Sequence, residues 1–95
     1  MLLPLLATFV EDAPLRFAAL ERAVAGGDSK AIESAAHAYK SGAGTIHASV
    51  LAAELASAEN SARGGHLEAI TGLIEQVRGE HHAVLLELEA ILAQK

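Results

Sequence analysis

The chain has 95 residues, of which 52% are hydrophobic and 3% aromatic, with a formal net charge of −5 and no cysteine. Residues 1–95 are expected to form a single domain around one core of small aliphatic side chains, in a reducing, cytoplasmic compartment without disulfides or thiolate chemistry. The acidic balance and the scattered Lys and Arg residues argue against nucleic acid as a partner.

The chain begins with an apolar segment, MLLPLLATFV. It lacks the basic start and small-residue cleavage site of a signal peptide, and it is too short to span a bilayer. We therefore expect no membrane insertion, and a short amphipathic helix that covers one end of a bundle. Its apolar face would consist of Leu2, Leu5, Leu6 and Phe9.

A second helix is predicted to start at Asp12, because Asp is a favoured N-cap and Pro14 is tolerated in a first turn. Gly26-Gly27 would end this helix, and Asp28 would cap the next one. The residues expected on its buried side are Leu15, Phe17, Ala18, Leu20 and Val24.

The third helix carries an exposed histidine. Side chains rotate by about 100° per residue along a helix, so an apolar stripe forms from Ile32, Ala36, Tyr39, Ala43 and Ile46. His37 points roughly 160° away from that stripe by the same arithmetic. Five residues share its side: Lys30, Glu33, Lys40, Ser41 and Gly44. The helix should fray between Gly44 and His47, where Gly-Thr is a poor continuation.

Two further amphipathic segments complete the chain. One runs from about Ala48 to Arg63 and ends at Gly64-Gly65; its inward residues are predicted to be Val50, Leu51, Leu55, Ala58 and Ala62. The last runs from about Leu67 to Ala93, with a stripe of Leu67, Ile70, Ile74, Val77, His81, Val84, Leu88 and Ile91. No stretch alternates like a strand. The predicted fold is all-α: an antiparallel up-down-up-down four-helix bundle with a short extra N-terminal helix.

The surroundings of His37 suit phosphoryl chemistry. A neutral imidazole in water offers a nucleophilic nitrogen at cell pH. Lys40 supplies a mobile positive charge that can follow phosphoryl oxygens. The run Ser41-Gly42-Ala43-Gly44 keeps the neighbouring surface low, so that a partner can approach the imidazole closely.

At this point the sequence resembles a known family. The run HAYKSGAGTI, residues 37–46, is similar to the signature of histidine-containing phosphotransfer (HPt) domains: a histidine, a lysine three residues later, small residues and a Gly-rich helix exit. The resemblance extends to FVEDAPLRFAAL at residues 9–20, Gly-Gly-Asp at 26–28 and Ala62-Arg63. It covers nearly the whole chain. Two positions depart from the pattern: Ser41 and His47 stand where the family commonly has glycine.

The resemblance implies a phosphorelay intermediate in two-component signalling. His37 would accept a phosphoryl group from the aspartyl phosphate of one receiver domain and pass it to another, as a monomer without kinase activity. Lys40 would stabilise phosphoryl charge, and Ser41, Gly42 and Gly44 would adjoin the docked partner. The receiver would supply Mg²⁺, so the chain itself would need no cofactor or metal. Glu59 falls where the family often has a polar residue facing the histidine, and would orient the imidazole; alternatively, it is an ordinary surface carboxylate.

Two other classes remain open from the residues alone. One is a helical bundle that binds a metal or haem through some of its five histidines. His37 is predicted to face water, whereas His81 is predicted to face the core, and adjacent His81 and His82 cannot chelate from the same face. The other is an interaction domain whose exposed histidine is chemically silent. ATP-binding and metalloprotease motifs are missing from the sequence.

Overall fold

The computed structural model describes residues 3–94, and this part of the chain is all-helical. Its four helices are α1 (Leu3–Gly26), α2 (Ser29–Thr45), α3 (Ser49–Arg63) and α4 (Leu67–Ala93). The prediction of an all-α fold is confirmed, and the bounds of the last three helices agree with the sequence to within a residue or two. Among these residues, no helix is long and apolar enough to cross a membrane.

The predicted break between a short leading helix and a second helix at Asp12 is wrong. Helix α1 continues through Pro14 for 24 residues. Proline removes one main-chain hydrogen bond from a helix interior, but the apolar stripe continues in register on both sides of it and enters one core. The buried residues of the stripe are Leu6, Phe9, Ala13, Phe17 and Leu20. Burial on both sides of Pro14 therefore outweighs the lost bond.

Several side chains predicted to be inward are exposed instead. Leu5 and Leu15 on α1 are 44% and 70% exposed, and Val50 on α3 is 57% exposed. The terminal stripe residues Leu67 and Ile91 of α4 are also exposed. Each of these lies at the edge of its stripe or at a helix end, where the core no longer covers it. Leu2 lies outside the described residues.

The turns follow the predicted capping chemistry. The Asp28 side chain accepts hydrogen bonds from the main-chain N–H groups of Lys30 and Ala31 at 3.0 and 3.4 Å, which caps α2. Gly27 and Gly65 adopt positive φ angles of 69° and 77°, which glycine accepts without strain. The short turns hold α2 against α1 and α4 against α3.

The core lies between all four helices. Each helix packs most closely against two others, in the cyclic order α1, α2, α3, α4 and back to α1. The molecule measures 44 × 20 × 20 Å along its principal axes. Tyr39, Leu20, Ile32 and Leu51 are among the largest fully buried side chains. With the apolar face of α2 buried in this core, His37 on the opposite face remains in solvent.

Candidate functional site

The imidazole of His37 lies on the exposed face of α2, with 60% of its side chain accessible to solvent. Its Nδ1 atom is 3.1 Å from Oε2 of Glu59 on α3. A carboxylate only accepts hydrogen bonds, so Nδ1 carries the ring proton and donates a hydrogen bond to Glu59. Nε2 is then the unprotonated nitrogen, with its lone pair available to a partner.

Glu59 is a buried carboxylate, only 6% exposed. The alternative of an ordinary surface carboxylate is therefore wrong. Besides His37, Glu59 accepts a hydrogen bond from Lys40 Nζ at 2.6 Å and one from Arg63 Nη2 at 3.1 Å. The hydrogen bond from Lys40 is the main cause that lowers the pKa of Glu59; burial opposes it, and the charge of Lys40 and the bond from His37 act with it. Glu59 is thus ionised and is shared by three donors.

Arg63 connects this cluster back to α2. Its Nε atom donates to Oε2 of Glu33 at 2.9 Å, and its Nη1 atom donates to Oδ1 of Asn60 at 3.2 Å. The guanidinium group therefore bridges α2 and α3 and fixes the position of the Glu59 carboxylate. No motif in the sequence marks Arg63 as a site residue. Its spacing of four residues from Glu59 on one helix is the signal that could have revealed it.

Two of the small residues predicted to adjoin a docked partner share the face of His37. The Ser41 hydroxyl donates to the main-chain oxygen of His37 at 3.2 Å, which keeps this side chain folded against the helix. A Cβ atom added at Gly44 would meet nothing within 4 Å, so the surface there is open. A partner that reaches His37 finds little in its way on this side of α2.

The third small residue, Gly42, lies elsewhere. Five residues separate it from His37, so it is turned by roughly 140° from the imidazole. A Cβ atom at this position would come within 3.9 Å of the Phe9 ring on α1. Gly42 therefore lies in the contact between α1 and α2 and not beside the imidazole.

His47 stands just after α2 with a positive φ of 62°. Glycine is the residue that adopts this left-handed conformation most readily, which is a physical reason for glycine at this corner in similar proteins. The side chain of His47 is exposed. The departure from the family pattern therefore places some strain on the backbone at the exit of the helix.

The other histidine of interest, His81, belongs to the core. It is 4% exposed, stacks on Phe17 with ring centroids 4.5 Å apart, and its Nδ1 lies 2.5 Å from the Tyr39 hydroxyl. Its contacts are with core side chains, whereas His37 points into solvent. Among residues 3–94, no group of three His, Cys, Asp or Glu side chains is arranged to hold a metal ion.

Taken together, the site presents one accessible nitrogen nucleophile, its tautomer set by a buried carboxylate, with an ammonium group nearby. It lies on the side of a helical bundle and not in an enclosed cavity, so another macromolecule can approach the imidazole directly. These are the features of a phosphotransfer domain.

The comparisons with known proteins agree. The model of the Hpt domain family matches residues 4–94 of the chain. The crystal structure of histidine-containing phosphotransfer protein B (HptB) from Pseudomonas aeruginosa PAO1 is similar, with a TM-score of 0.93 and 33% sequence identity, over 98% of this chain and 81% of that chain. No curated protein matches significantly. The chain belongs to the Hpt domain family and is a phosphotransfer intermediate of two-component phosphorelays.

Proposed function

We propose that Nε2 of His37 is the atom that carries the phosphoryl group. The observation that supports this most directly is the hydrogen bond of Nδ1 with Glu59, which leaves Nε2 as the unprotonated and solvent-facing nitrogen. The donor is the aspartyl phosphate of one receiver domain, and the acceptor is an aspartate of another. The same histidine thus serves in both half-reactions.

The transfer to His37 forms a bond between Nε2 and phosphorus and breaks the bond between phosphorus and the aspartyl oxygen. The receiver's aspartate leaves as a carboxylate. Because Nδ1 keeps its proton, the imidazole gains positive charge as the new bond forms. The Glu59 carboxylate at 3.1 Å offsets that charge. The return step, to the second receiver, runs in reverse with the same groups.

The neighbouring residues have simpler parts in this proposal. Lys40 has N–H donors beyond the one that contacts Glu59, and these can neutralise oxygens of the transferred phosphoryl group. Ser41 and Gly44 lie beneath the docked receiver, and Gly42 helps to seat α2 against α1. The receiver contributes Mg²⁺ through its own carboxylates, and this chain binds no metal.

The architecture that we propose is an up-down-up-down antiparallel bundle. Along α2 and α3 the contacts run in opposite order, from Glu33 with Arg63 to Lys40 with Glu59. Contacts of α1 with α4, such as Glu21 with Arg78, fit the same arrangement. A monomer in the cytoplasm, where receiver domains are available, completes the proposal.

The test is transfer from a panel of phosphorylated receiver domains to the intact protein, to His37→Gln and to Lys40→Ala. We expect an acid-labile label on the intact protein, no label on His37→Gln, and slower labelling of Lys40→Ala. The control is Arg78→Gln, which removes a cation on α4 whose ion pairs, with Glu21 and Glu75, lie away from His37. Label that persists in His37→Gln would overturn the assignment of the site. A folded protein that no receiver labels would favour the silent or ligand-binding bundle.

A further inference from the structure

The Lys and Arg residues between 3 and 94 fall into two groups. Seven Lys and Arg residues stand against twelve Asp and Glu residues. Three of the cations contact carboxylates of the fold: Lys40, Arg63 and Arg78. Arg16, Arg22 and Lys30 are exposed and form no ion pair with any residue between 3 and 94. The charges of these three side chains are therefore available to a partner.

These three cations lie along the same part of the surface. Arg16 and Arg22 line a groove between α1 and α2, and Lys30 lines the depression that contains His37 and Glu59. The floor of the groove consists of small side chains: Ala19, Ala23, Ala31, Ser34, Ala35 and Ala38. Ser34 lines the groove and the depression alike, so the two are continuous. We call Arg16, Arg22, Lys30 and this floor the basic seam.

Helix α4 has the opposite charge. Helix α4 carries one arginine, Arg78, together with Glu68, Glu75, Glu80, Glu87 and Glu89. The net charge of −5 is therefore unevenly distributed: the groove with Arg16 and Arg22 has no acidic side chain among its lining residues, whereas α4 is acidic. A partner with a uniformly negative surface, such as a nucleic acid or an anionic membrane, would be repelled by the molecule as a whole. A partner with a local acidic face would be oriented towards His37.

We propose that the basic seam selects receiver domains that present carboxylates beside an apolar docking face. The inference rests on the proposed function, because it is the receiver that must cover His37. Small residues on the floor of the groove allow a helix of the partner to approach closely. The arginine side chains would flank that helix, with their apolar stems against the floor and their charges at the rim. Charges at the rim of an interface act mainly on the association rate and on the choice of partner.

The experiment measures transfer kinetics with phosphorylated receivers that are sorted by the charge of the surface around their phosphorylated aspartate. The variant is Arg16→Gln/Arg22→Gln. The matched control is Thr71→Glu/Gln76→Glu, which changes the net charge by the same amount through two exposed positions of α4. For receivers with acidic faces, we expect kcat/KM of the arginine variant to fall roughly tenfold at low salt, while kcat at saturation is unchanged. The control and the neutral receivers should change by less than about twofold.

Equilibrium binding provides the second readout, with receivers titrated onto His37→Gln with and without the two arginine substitutions. The affinity for acidic receivers should be weaker and less dependent on salt in the arginine variant. An unchanged kcat/KM and affinity, or an equal loss in the α4 control, would overturn the inference while His37 labelling leaves the proposed function intact. Failure of labelling on the intact protein would instead count against the proposed function. Circular dichroism would be used to check that each variant is folded.

Discussion

The hydroxyl of Tyr39 on α2 lies 2.5 Å from Nδ1 of His81 on α4, in the middle of the core. Burial raises the pKa of Tyr39 well above its usual value, so the hydroxyl stays protonated and donates a hydrogen bond to His81. Two helices that are not neighbours in the ring are thereby joined through the core. The apolar stripes of α2 and α4 each contain one polar side chain, and the Tyr39 hydroxyl and Nδ1 of His81 satisfy each other.

The first prediction concerns this bond. Tyr39→Phe leaves Nδ1 of His81 buried without a donor, and it should lower the free energy of unfolding by about 1–3 kcal/mol. Chemical denaturation measures the loss. The double variant Tyr39→Phe/His81→Leu removes both polar partners and should be less destabilised than a sum of the two single variants. Strict additivity would contradict the proposed coupling.

The second prediction is a pH dependence. Burial is the main cause that lowers the pKa of His81, with a contribution from His82 and an opposing one from Glu21. The unfolded chain therefore binds a proton more readily than the folded one, and stability should fall as the pH drops below about 6.5. His81→Gln can still accept a hydrogen bond from Tyr39 but does not titrate, so its loss of stability over this range should be smaller. His66→Gln, at an exposed position that does not act on the pKa of His81, serves as the control and should behave like the parent.

The third prediction concerns Glu59. Glu59→Gln keeps an oxygen acceptor near His37 but removes the negative charge, so phosphoryl transfer should slow by about tenfold. Nitrogen NMR of the His37 ring should also show a smaller population protonated at Nδ1. The matched control is Glu33→Gln, which removes a carboxylate that contacts Arg63 but not His37. Transfer and tautomer that stay unchanged in Glu59→Gln would show that the carboxylate has only a structural part.

A fourth prediction uses the open surface at Gly44. Gly44→Gln introduces a long side chain on the face of His37, where a Cβ atom meets nothing within 4 Å. Transfer from receivers should fall at least tenfold at limiting concentration, while thermal stability should be equal or slightly higher because glycine is a poor helix former. Gly44→Ala adds only a methyl group and should transfer nearly normally. Equal transfer by the Gln and Ala variants would mean that the receiver does not cover this position.

The fifth prediction is a stabilising change. Oε1 of Glu54 is buried without a hydrogen-bond partner, and burial, together with the charge of Glu80, raises the pKa of Glu54. The folded chain therefore binds a proton more readily than the unfolded one, and the carboxylate costs stability once the pH rises through its raised pKa. Glu54→Gln should be more stable than the parent at pH 7 and should lose this advantage near pH 4. Glu87→Gln, on the exposed part of α4, should differ little from the parent at either pH.

The stripe of α2 and the exposure of His37 were predictable because they depend only on helical periodicity. The break at Asp12 was predicted wrongly because capping residues and proline also occur inside helices, and only the continuous stripe from Leu6 to Leu20 distinguishes the two cases. The run of small residues predicts Gly42 at the docking surface, although helical periodicity turns Gly42 away from His37.

The burial of Glu59 is harder to predict from the sequence. It depends on Lys40 and His37, which lie 19 and 22 residues away along the chain. Periodicity places each of these residues on a face of its own helix, but it does not say how far one helix slides along the other. A shift of α3 by a single turn would separate Glu59 from both partners, so the cluster follows from packing and not from a local pattern.

The lengths of α3 and α4 differ greatly, at 15 and 27 residues. Since α4 starts just after α3 ends, about 18 Å of α4 extends beyond the reach of its neighbour at 1.5 Å per residue. This far segment includes Val84 and Leu88, which must be covered by the remaining helices. Local opening there should cost less free energy than opening of the contact between α2 and α3, which is stabilised by ion pairs and by core packing. We therefore expect motion to be concentrated at the end of the molecule remote from Glu59, so that the surface around His37 would already be ordered when a receiver binds and less entropy would be lost on association.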